Sequence, residues 1–342
     1  MTLSNTLYAL LLLFLIPANF GCESKGSAIE VTTSSKIKGV SFVAPPKPID
    51  QTAFIPISGI NANYISVIPY SFCPADSPVL VFNSKFQWWG ERTEGAVATI
   101  EMARAQGLNV MLKPQVWLRH GTYTGELDFE TTREWAKWED CYAKYILHFA
   151  QLADSLNVEI FCIGTELKTS VEKRPEYWNN LIQKVRDVYH GKLTYAANWD
   201  DYDDVPFWSE IDYVGIDAYF PLSANKHPDL RELKSKWNDW IGEIKSNVTA
   251  FGKPVLFTEA GYRSAEYACK EPWVVERAAK TSTETQKQAY QALFETVWQE
   301  DWMAGMFLWK WFANDDRITQ DNNDFSPQNK PAEEVISDYY AR

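Results

Sequence analysis

The sequence predicts a single (β/α)8 barrel, and three observations support this fold class. Eight short apolar runs are distributed along the 342 residues. Most of these runs are nearly continuous in apolar residues, as expected for parallel strands that are covered on both faces. The segments between them carry helix punctuation, so strand and helix patterns alternate along the chain.

The eight runs are spaced so that most of them leave room for a helix before the next. In chain order they span 37–43, 62–69, 108–118, 158–166, 192–199, 211–220, 253–262 and 304–311. A doubly wound open sheet is the competing architecture, but no glycine-rich phosphate loop follows the first run. We therefore expect one barrel domain.

Three of the intervening segments have helix signals. Segment 174–191 places Pro175 near its start and Gly191 just past its end, where these residues are favoured. Segment 228–246 carries its large apolar residues along one helical stripe. The sequence TETQ at 283–286 fits a capping box at the start of another helix.

Composition and charge restrict the class of function. Hydrophobic residues make up 46% of the chain, which is enough for a large core. The formal net charge of −12 argues against a nucleic-acid binder, because such a protein needs a basic face. The 15 Trp, 17 Tyr and 18 Phe are a density common in carbohydrate grooves, although most such side chains pack the core.

The N-terminus predicts export. Residues 7–22 form an apolar stretch that ends in small residues, and polar sequence follows it. The apolar core is short for a membrane span, so an export signal is the better interpretation. The stretch resembles a bacterial lipoprotein signal, which implies lipidation of Cys22 and anchoring to a membrane; plain secretion is the alternative. We assign 1–21 to the signal, 22–36 to a flexible linker and 37–342 to the barrel.

Cysteine and histidine spacing predicts neither a metal site nor a nucleophile motif. The remaining cysteines are Cys73, Cys141, Cys162 and Cys269. Because a large core does not need disulfides, we expect free buried thiols. The four histidines lack metal spacing, and no Ser or Cys is paired with a His and an acid. We therefore expect no metal and no cofactor.

Two glutamates end predicted strands on the face where barrel enzymes carry their chemistry. Glu166 ends the fourth run, and Glu259 lies close to the end of the seventh. Strict alternation would place two sets of residues on shared faces: Cys162, Gly164 and Glu166, and Val255, Phe257 and Glu259. Strands four and seven lie on opposite sides of a round barrel, so we expect the two carboxyl groups to face each other across its mouth.

Two opposed carboxyl groups are what cleavage of a glycosidic bond requires. One protonates the leaving oxygen, and the other attacks the sugar or activates water. A separation of about 5–5.5 Å gives retention of configuration, and a wider gap gives inversion. Either glutamate alone could be a structural ion-pair partner, but two in this position favour a glycosidase.

Several long strings resemble glycoside hydrolase family 113. They are ILHFAQLADSLNVEIFCIGTEL, GKLTYAANWDDYDDVPFW, IDYVGIDAYFPLS, PVLFTEAGYRS and LWKW. The resemblance covers roughly 37–312 and implies a retaining β-mannanase-type activity on β-1,4-mannans and manno-oligosaccharides. It also implies that Glu166 is the acid/base and Glu259 the nucleophile. Many clan members have Asn before the acid/base; this chain has Thr165, so another residue must contact the sugar 2-hydroxyl.

Further strand-end residues are candidates for substrate binding. They are Lys113, Trp117, His120, Asn198, Trp199, Asp217, Tyr219, Trp309 and Trp311. Lys113 lies inward on its strand, so we expect a carboxylate partner. Tyr219 could hydrogen-bond Glu259 and orient it. Trp309 and Trp311 share parity and could form a floor under a sugar, with plain core packing as the alternative.

Two functions from different classes stay open at this point. The first is a glycosidase that acts on β-mannan or manno-oligosaccharides, and the second is a carbohydrate-binding lipoprotein without catalysis. The presence of both glutamates favours the enzyme. Within that class, an exo-acting β-mannosidase or another β-glycosidase is the alternative. We expect a monomer with no nucleic-acid partner.

Overall fold

A computed structural model of the chain describes residues 36–74, 77–118, 122–313, 319 and 321–342. These residues belong to one compact unit, Val31–Arg342. The predicted export signal, Cys22 and His120 lie outside the described residues. Within these ranges, no helix combines the length and the apolar character that crossing a bilayer requires.

Eight parallel strands close a barrel, which confirms the predicted (β/α)8 fold. The described residues contain eight barrel strands and three strands of a smaller sheet. In chain order they are β1 (Ile37–Phe42), β2 (Tyr64–Val67), β3 (Tyr70–Cys73), β4 (Val81–Phe82), β5 (Asn109–Leu112), β6 (Gln115–Leu118), β7 (Ile160–Thr165), β8 (Lys192–Asn198), β9 (Tyr213–Asp217), β10 (Val255–Ala260) and β11 (Met303–Trp311). The barrel order is β1-β11-β10-β9-β8-β7-β5-β2, and β2 closes on β1. Each of the eight predicted runs coincides with one barrel strand, and only β11 extends beyond its run, by one residue at its start.

Helices surround the barrel, and the three segments with helix signals are helical. The helices are α1 (Ile55–Gly59), α2 (Thr93–Ala105), α3 (Thr132–Ser155), α4 (Lys168–Lys173), α5 (Pro175–Arg186), α6 (Leu230–Phe251), α7 (Thr283–Glu295) and α8 (Pro331–Tyr340). The predicted capping box at 283–286 is wrong by one residue. Ser282 is the N-cap of α7, and its hydroxyl accepts a hydrogen bond from the Thr285 backbone N–H.

The prediction of one strand over 108–118 is also wrong. Pro114 separates β5, which belongs to the barrel, from β6, which pairs with β3 in a small three-stranded sheet. Proline has no N–H to donate to a strand ladder, so the chain leaves the barrel there. Pro69 separates β2 from β3 in the same way. The small sheet therefore continues two barrel strands beyond their carboxyl ends.

The core has two layers, separated by the barrel wall. Five buried side chains form the inner layer: Ile37, Met111, Ile160, Leu256 and Phe307. The larger layer lies between the barrel and the helices, where Phe257 stacks on Trp237 of α6 with ring centroids 6.2 Å apart. The four cysteines within the described ranges are free; Cys73, Cys162 and Cys269 are buried as expected, whereas Cys141 is only half-buried.

Candidate active site

Glu259 of β10 is held by three side chains at the barrel mouth. Its Oε2 accepts a hydrogen bond from the Tyr219 hydroxyl at 2.6 Å, which confirms the predicted contact. Its Oε1 accepts one from Gln115 Nε2 at 2.8 Å and also pairs with Lys113 Nζ. Only 6% of Glu259 is exposed. Both oxygens of the carboxylate are therefore fixed by donors that lie on β6 or just after β5 and β9.

Glu259 faces inward because β10 is irregular. Leu256 points into the barrel and Phe257 points out of it, so strict alternation would turn Glu259 outward as well. The register with β9 shifts between Phe257 and Glu259. A local bulge of this kind re-aims the following side chain. The predicted shared face of Val255, Phe257 and Glu259 is therefore wrong, although Glu259 does reach the mouth.

Lys113 and Asp217 form a buried ion pair beside Glu259. Lys113 Nζ lies 3.3 Å from Asp217 Oδ2, and Thr258 Oγ1 donates to Asp217 Oδ1 at 2.7 Å. Burial disfavours the lysine cation, but the charges of Asp217 and Glu259 outweigh burial and raise the pKa of Lys113. Burial and Glu259 raise the pKa of Asp217 to about 7, against the opposing effect of Lys113. The expected carboxylate partner of Lys113 is thus confirmed.

Glu166 follows β7 directly and has a different environment. Its φ of 51° is left-handed, which is uncommon for a non-glycine residue, and its backbone N–H donates to the Ala196 carbonyl at 2.8 Å. Burial, followed by the charges of Asp217 and Glu259, raises the pKa of Glu166 well above its usual range. A carboxyl group that keeps its proton in this way is suited to general acid catalysis.

The predicted alternation along β7 is wrong for the same reason as in β10. A side chain at Gly164 would come within 2.8 Å of Trp178 on α5, so this residue faces the helices. The register with β8 shifts between Cys162 and Thr165. Cys162, Gly164 and Glu166 therefore do not share one face of the strand.

Family membership follows from the sequence over most of the chain. The sequence model of Glycoside Hydrolase Family 113 matches residues 79–330. The chain belongs to Glycoside Hydrolase Family 113. It is therefore a glycoside hydrolase, and the predicted resemblance is confirmed. No curated protein sequence matches the chain.

Solved structures of family 113 enzymes are similar to this glycoside hydrolase. A GH113 β-1,4-mannanase in a complex is 26% identical with a TM-score of 0.79, over 90% of this chain and 99% of that one. The GH113 β-mannanase AaManA from Alicyclobacillus acidocaldarius, in complex with ManMIm, is 25% identical with the same TM-score, over 90% and 98%. A β-glucuronidase from Ruminococcus gnavus shares the fold, with 14% identity and a TM-score of 0.62, over 89% of this chain and 50% of that one.

Three residues of this family 113 hydrolase that were predicted to contact substrate are buried. Lys113 and Asp217 are fully buried and contact Glu259 or each other, so they position the carboxylate. Trp311 is 1% exposed and packs in the outer core layer. Trp309 and Trp311 therefore do not share a face of β11. The predicted floor under a sugar therefore reduces to Trp309, which lines a groove at the mouth.

The other predicted contacts lie on two sides of the mouth. Trp117 is on β6 and lines the same groove as Trp309. Asn198 is the last residue of β8, the neighbour of β7, and Trp199 follows it. Asn198 Nδ2 donates to Asp200 Oδ1 at 2.8 Å, and Trp199 stacks on Trp273 with ring centroids 5.3 Å apart.

Three further residues near the glutamates of this hydrolase were not predicted from the sequence. Gln115 follows Pro114, and its position just past a barrel strand is the one sequence feature that could have indicated it. Tyr70 has its pKa raised by burial and by Glu259. Tyr123 has its pKa raised by burial and by Glu166, and its buried hydroxyl lacks a partner among the residues described. Tyr123 lies in the connection between β6 and α3, which carries no pattern that indicates function.

Proposed function

We propose that this protein is a retaining β-1,4-mannanase, with Glu259 as nucleophile and Glu166 as acid/base. The observation that carries the proposal is the contrast between the two glutamates. Three donors hold the carboxylate of Glu259, whereas burial and neighbouring carboxylates favour the protonated form of Glu166. The family 113 structures that this chain resembles are described as β-mannanases, which supports mannan or manno-oligosaccharides as the substrate.

The proposed reaction has two displacements. In the first, an oxygen of Glu259 bonds to the anomeric carbon, the glycosidic C–O bond breaks, and Glu166 gives its proton to the leaving oxygen. Glu259 loses its negative charge in the glycosyl ester, so one of the charges that raise the pKa of Glu166 disappears. Glu166 is then ready to act as a base. It takes a proton from water, which attacks the same carbon and releases Glu259.

We expect hydrolysis of mannohexaose with retention of configuration. If the two carboxyl groups are about 5–5.5 Å apart, no attacking water fits between Glu259 and the anomeric carbon, so two inversions occur in sequence. Proton NMR during the first minutes should show the β-anomer of the new reducing end, with cellohexaose as the control. An initial α-anomer would contradict the mechanism. Equal cleavage of cellohexaose would contradict the specificity, and release of mannose alone would indicate an exo-acting β-mannosidase.

We also propose that the protein is exported and anchored to a membrane through a lipid on Cys22. The proposal rests on the apolar stretch 7–22 that ends at this cysteine. Wild-type protein expressed in a bacterium should partition into the detergent phase, whereas Cys22→Ser should stay in the aqueous phase. Wild type found entirely in the soluble secreted fraction would contradict the anchor and favour plain secretion.

A further inference from the structure

The hydroxyl of Tyr123 is buried without a hydrogen-bond partner. Tyr123 precedes a single 3₁₀ turn, Thr124–Glu126, in the connection between β6 and α3. Its oxygen makes no hydrogen bond within the described part of the chain. Buried polar groups are nearly always paired, because leaving one unpaired costs stability. A free buried hydroxyl near a catalytic group is therefore suited to a partner that forms during the reaction.

Packing holds the Tyr123 ring beside the chain that follows Glu166. The Thr169 hydroxyl on α4 donates to the Gly125 carbonyl at 2.6 Å, which joins the 3₁₀ turn to a helical residue three positions after Glu166. The ring lies over Gly125, where a Cβ would be 2.9 Å from the phenol oxygen and closer still to the ring carbons. A side chain at position 125 would therefore push the ring out of place.

Glu166 is the charged group that acts most strongly on this hydroxyl. Burial raises the pKa of Tyr123, and Glu166 raises it further, ahead of Asp201. Asp201 is the competing acceptor, because one of its buried carboxylate oxygens also lacks a partner among the residues described. However, Asp201 lines a small cavity with Lys168 and Glu172 of α4. The arrangement therefore favours Glu166 as the acceptor.

We propose that Tyr123 is a positioning residue for the acid/base, and that its hydroxyl donates to the carboxylate that Glu166 becomes when it gives up its proton. The inference rests on the proposed function. A hydrogen bond to a charged acceptor is about twice as strong as one to a neutral acceptor. The bond therefore strengthens during the first displacement, while negative charge grows on Glu166. It weakens again when Glu166 takes a proton from water in the second.

The first test is the dependence of the rate on the leaving group. Tyr123→Phe should lower kcat/KM for mannohexaose roughly two- to tenfold, because the leaving oxygen needs the proton of Glu166. The same variant should keep wild-type kcat/KM for a dinitrophenyl β-mannobioside, whose leaving group departs without protonation. A hydroxyl that only contacted the sugar or supported the fold would lower both values.

The second test is the pH dependence of kcat/KM for mannohexaose. Charged groups of four described residues face Glu166: Asp217 on β9, Glu259 on β10, Lys113 just after β5 and Asp201 after β8. Burial and the three carboxylates raise the pKa of Glu166, and Lys113 lowers it. A donor to the carboxylate also lowers this pKa. Tyr123→Phe should therefore move the basic limb, which reports Glu166, upward by about 0.5–1 pH unit.

Tyr189→Phe is the matched control for the loss of a phenol hydroxyl. Tyr189 also packs over a glycine, Gly191, but its hydroxyl donates to the Val158 carbonyl at 2.8 Å, before β7 begins. This end of the strand is opposite the mouth. Tyr189→Phe should leave the basic limb and both kcat/KM values as in wild type.

Two further variants separate the hydroxyl from its surroundings. Gly125→Ala keeps the hydroxyl but displaces the ring, so it should reproduce the pattern of Tyr123→Phe. In an Asp201→Asn background, Tyr123→Phe should still move the basic limb, because its acceptor is Glu166. In urea unfolding, Tyr123→Phe should be at least as stable as wild type, since no hydrogen bond of the resting protein is lost.

Four outcomes would overturn the proposal while mannan hydrolysis itself stands. They are an equal loss of kcat/KM for both substrates, an unmoved basic limb, a shift that disappears in the Asp201→Asn background, and a clear loss of stability in Tyr123→Phe. Mannohexaose left intact by wild type would instead show that the proposed function is wrong, and the positioning role would fall with it.

Discussion

Replacing Glu259 or Glu166 by alanine is expected to lower turnover of unactivated mannan by about 10²–10⁴-fold or more, the range of lost acid or nucleophilic catalysis. Glu259→Ala removes the atom that attacks the anomeric carbon. Glu166→Ala removes the proton that the leaving oxygen needs. Glu271→Ala, a substitution of an exposed glutamate in the connection after β10, is the matched control and should keep wild-type turnover.

An activated substrate separates the two roles. A dinitrophenyl β-mannobioside has a leaving group that departs without protonation, so Glu166→Ala should still form the glycosyl ester quickly and release a burst of dinitrophenol. Added azide should then attack the ester and give the β-mannosyl azide. Glu259→Ala should show no burst, and any azide product should be the α-anomer. Equal behaviour of both variants, or reversed products, would contradict the assignment.

Replacing Lys113 by methionine is expected to lower the free energy of unfolding by about 3–5 kcal/mol near neutral pH, the usual cost of removing one partner of a buried ion pair. Lys113 is 0% exposed and contacts both Asp217 and Glu259. Without it, two buried carboxylates face each other with no cation between them. Methionine retains most of the apolar stem, so the loss reports the charge more than the volume.

The pH dependence of this variant has a definite sign. Asp217 already has a pKa near 7 in the folded protein, above its usual value of about 3.9 when unfolded. Between these values the folded state binds more protons than the unfolded state, so this group's contribution to stability is lost as pH rises. Lys113 lowers the pKa of Asp217, so its removal should extend this loss of stability to higher pH.

Urea unfolding of wild type and Lys113→Met at pH 5 and pH 8 measures this effect. The difference between the two proteins should be larger at pH 8. Lys144→Met is the control, because Lys144 pairs with Asp140 on the surface and its loss should cost less than about 1 kcal/mol at either pH. Adding Asp217→Asn to Lys113→Met should recover part of the stability. A difference between the two proteins that is independent of pH would contradict the buried-charge explanation.

The sequence by itself determined the barrel and the place of its chemistry. Near-continuous apolar runs that alternate with helices fit parallel strands covered on both faces, and all eight runs contain barrel strands. Because parallel strands of a barrel end on one face, Glu166 and Glu259 had to lie at the same mouth. Because an unpaired buried cation is too costly, the inward position of Lys113 predicted a carboxylate partner, and Lys113 pairs with Asp217.

Only the tertiary structure decided which way side chains point near the strand ends. Simple alternation fails between Cys162 and Gly164 and between Phe257 and Glu259, because register shifts against neighbouring strands turn the backbone. These shifts depend on pairing with other strands, which a period-two pattern does not contain. The contact between Lys113 and Glu259 also depends on the tertiary structure. The two residues are 146 positions apart, and the local sequence around either one does not predict its partner. The groove likewise needs a sheet that exists only after two prolines divert the chain from the barrel wall.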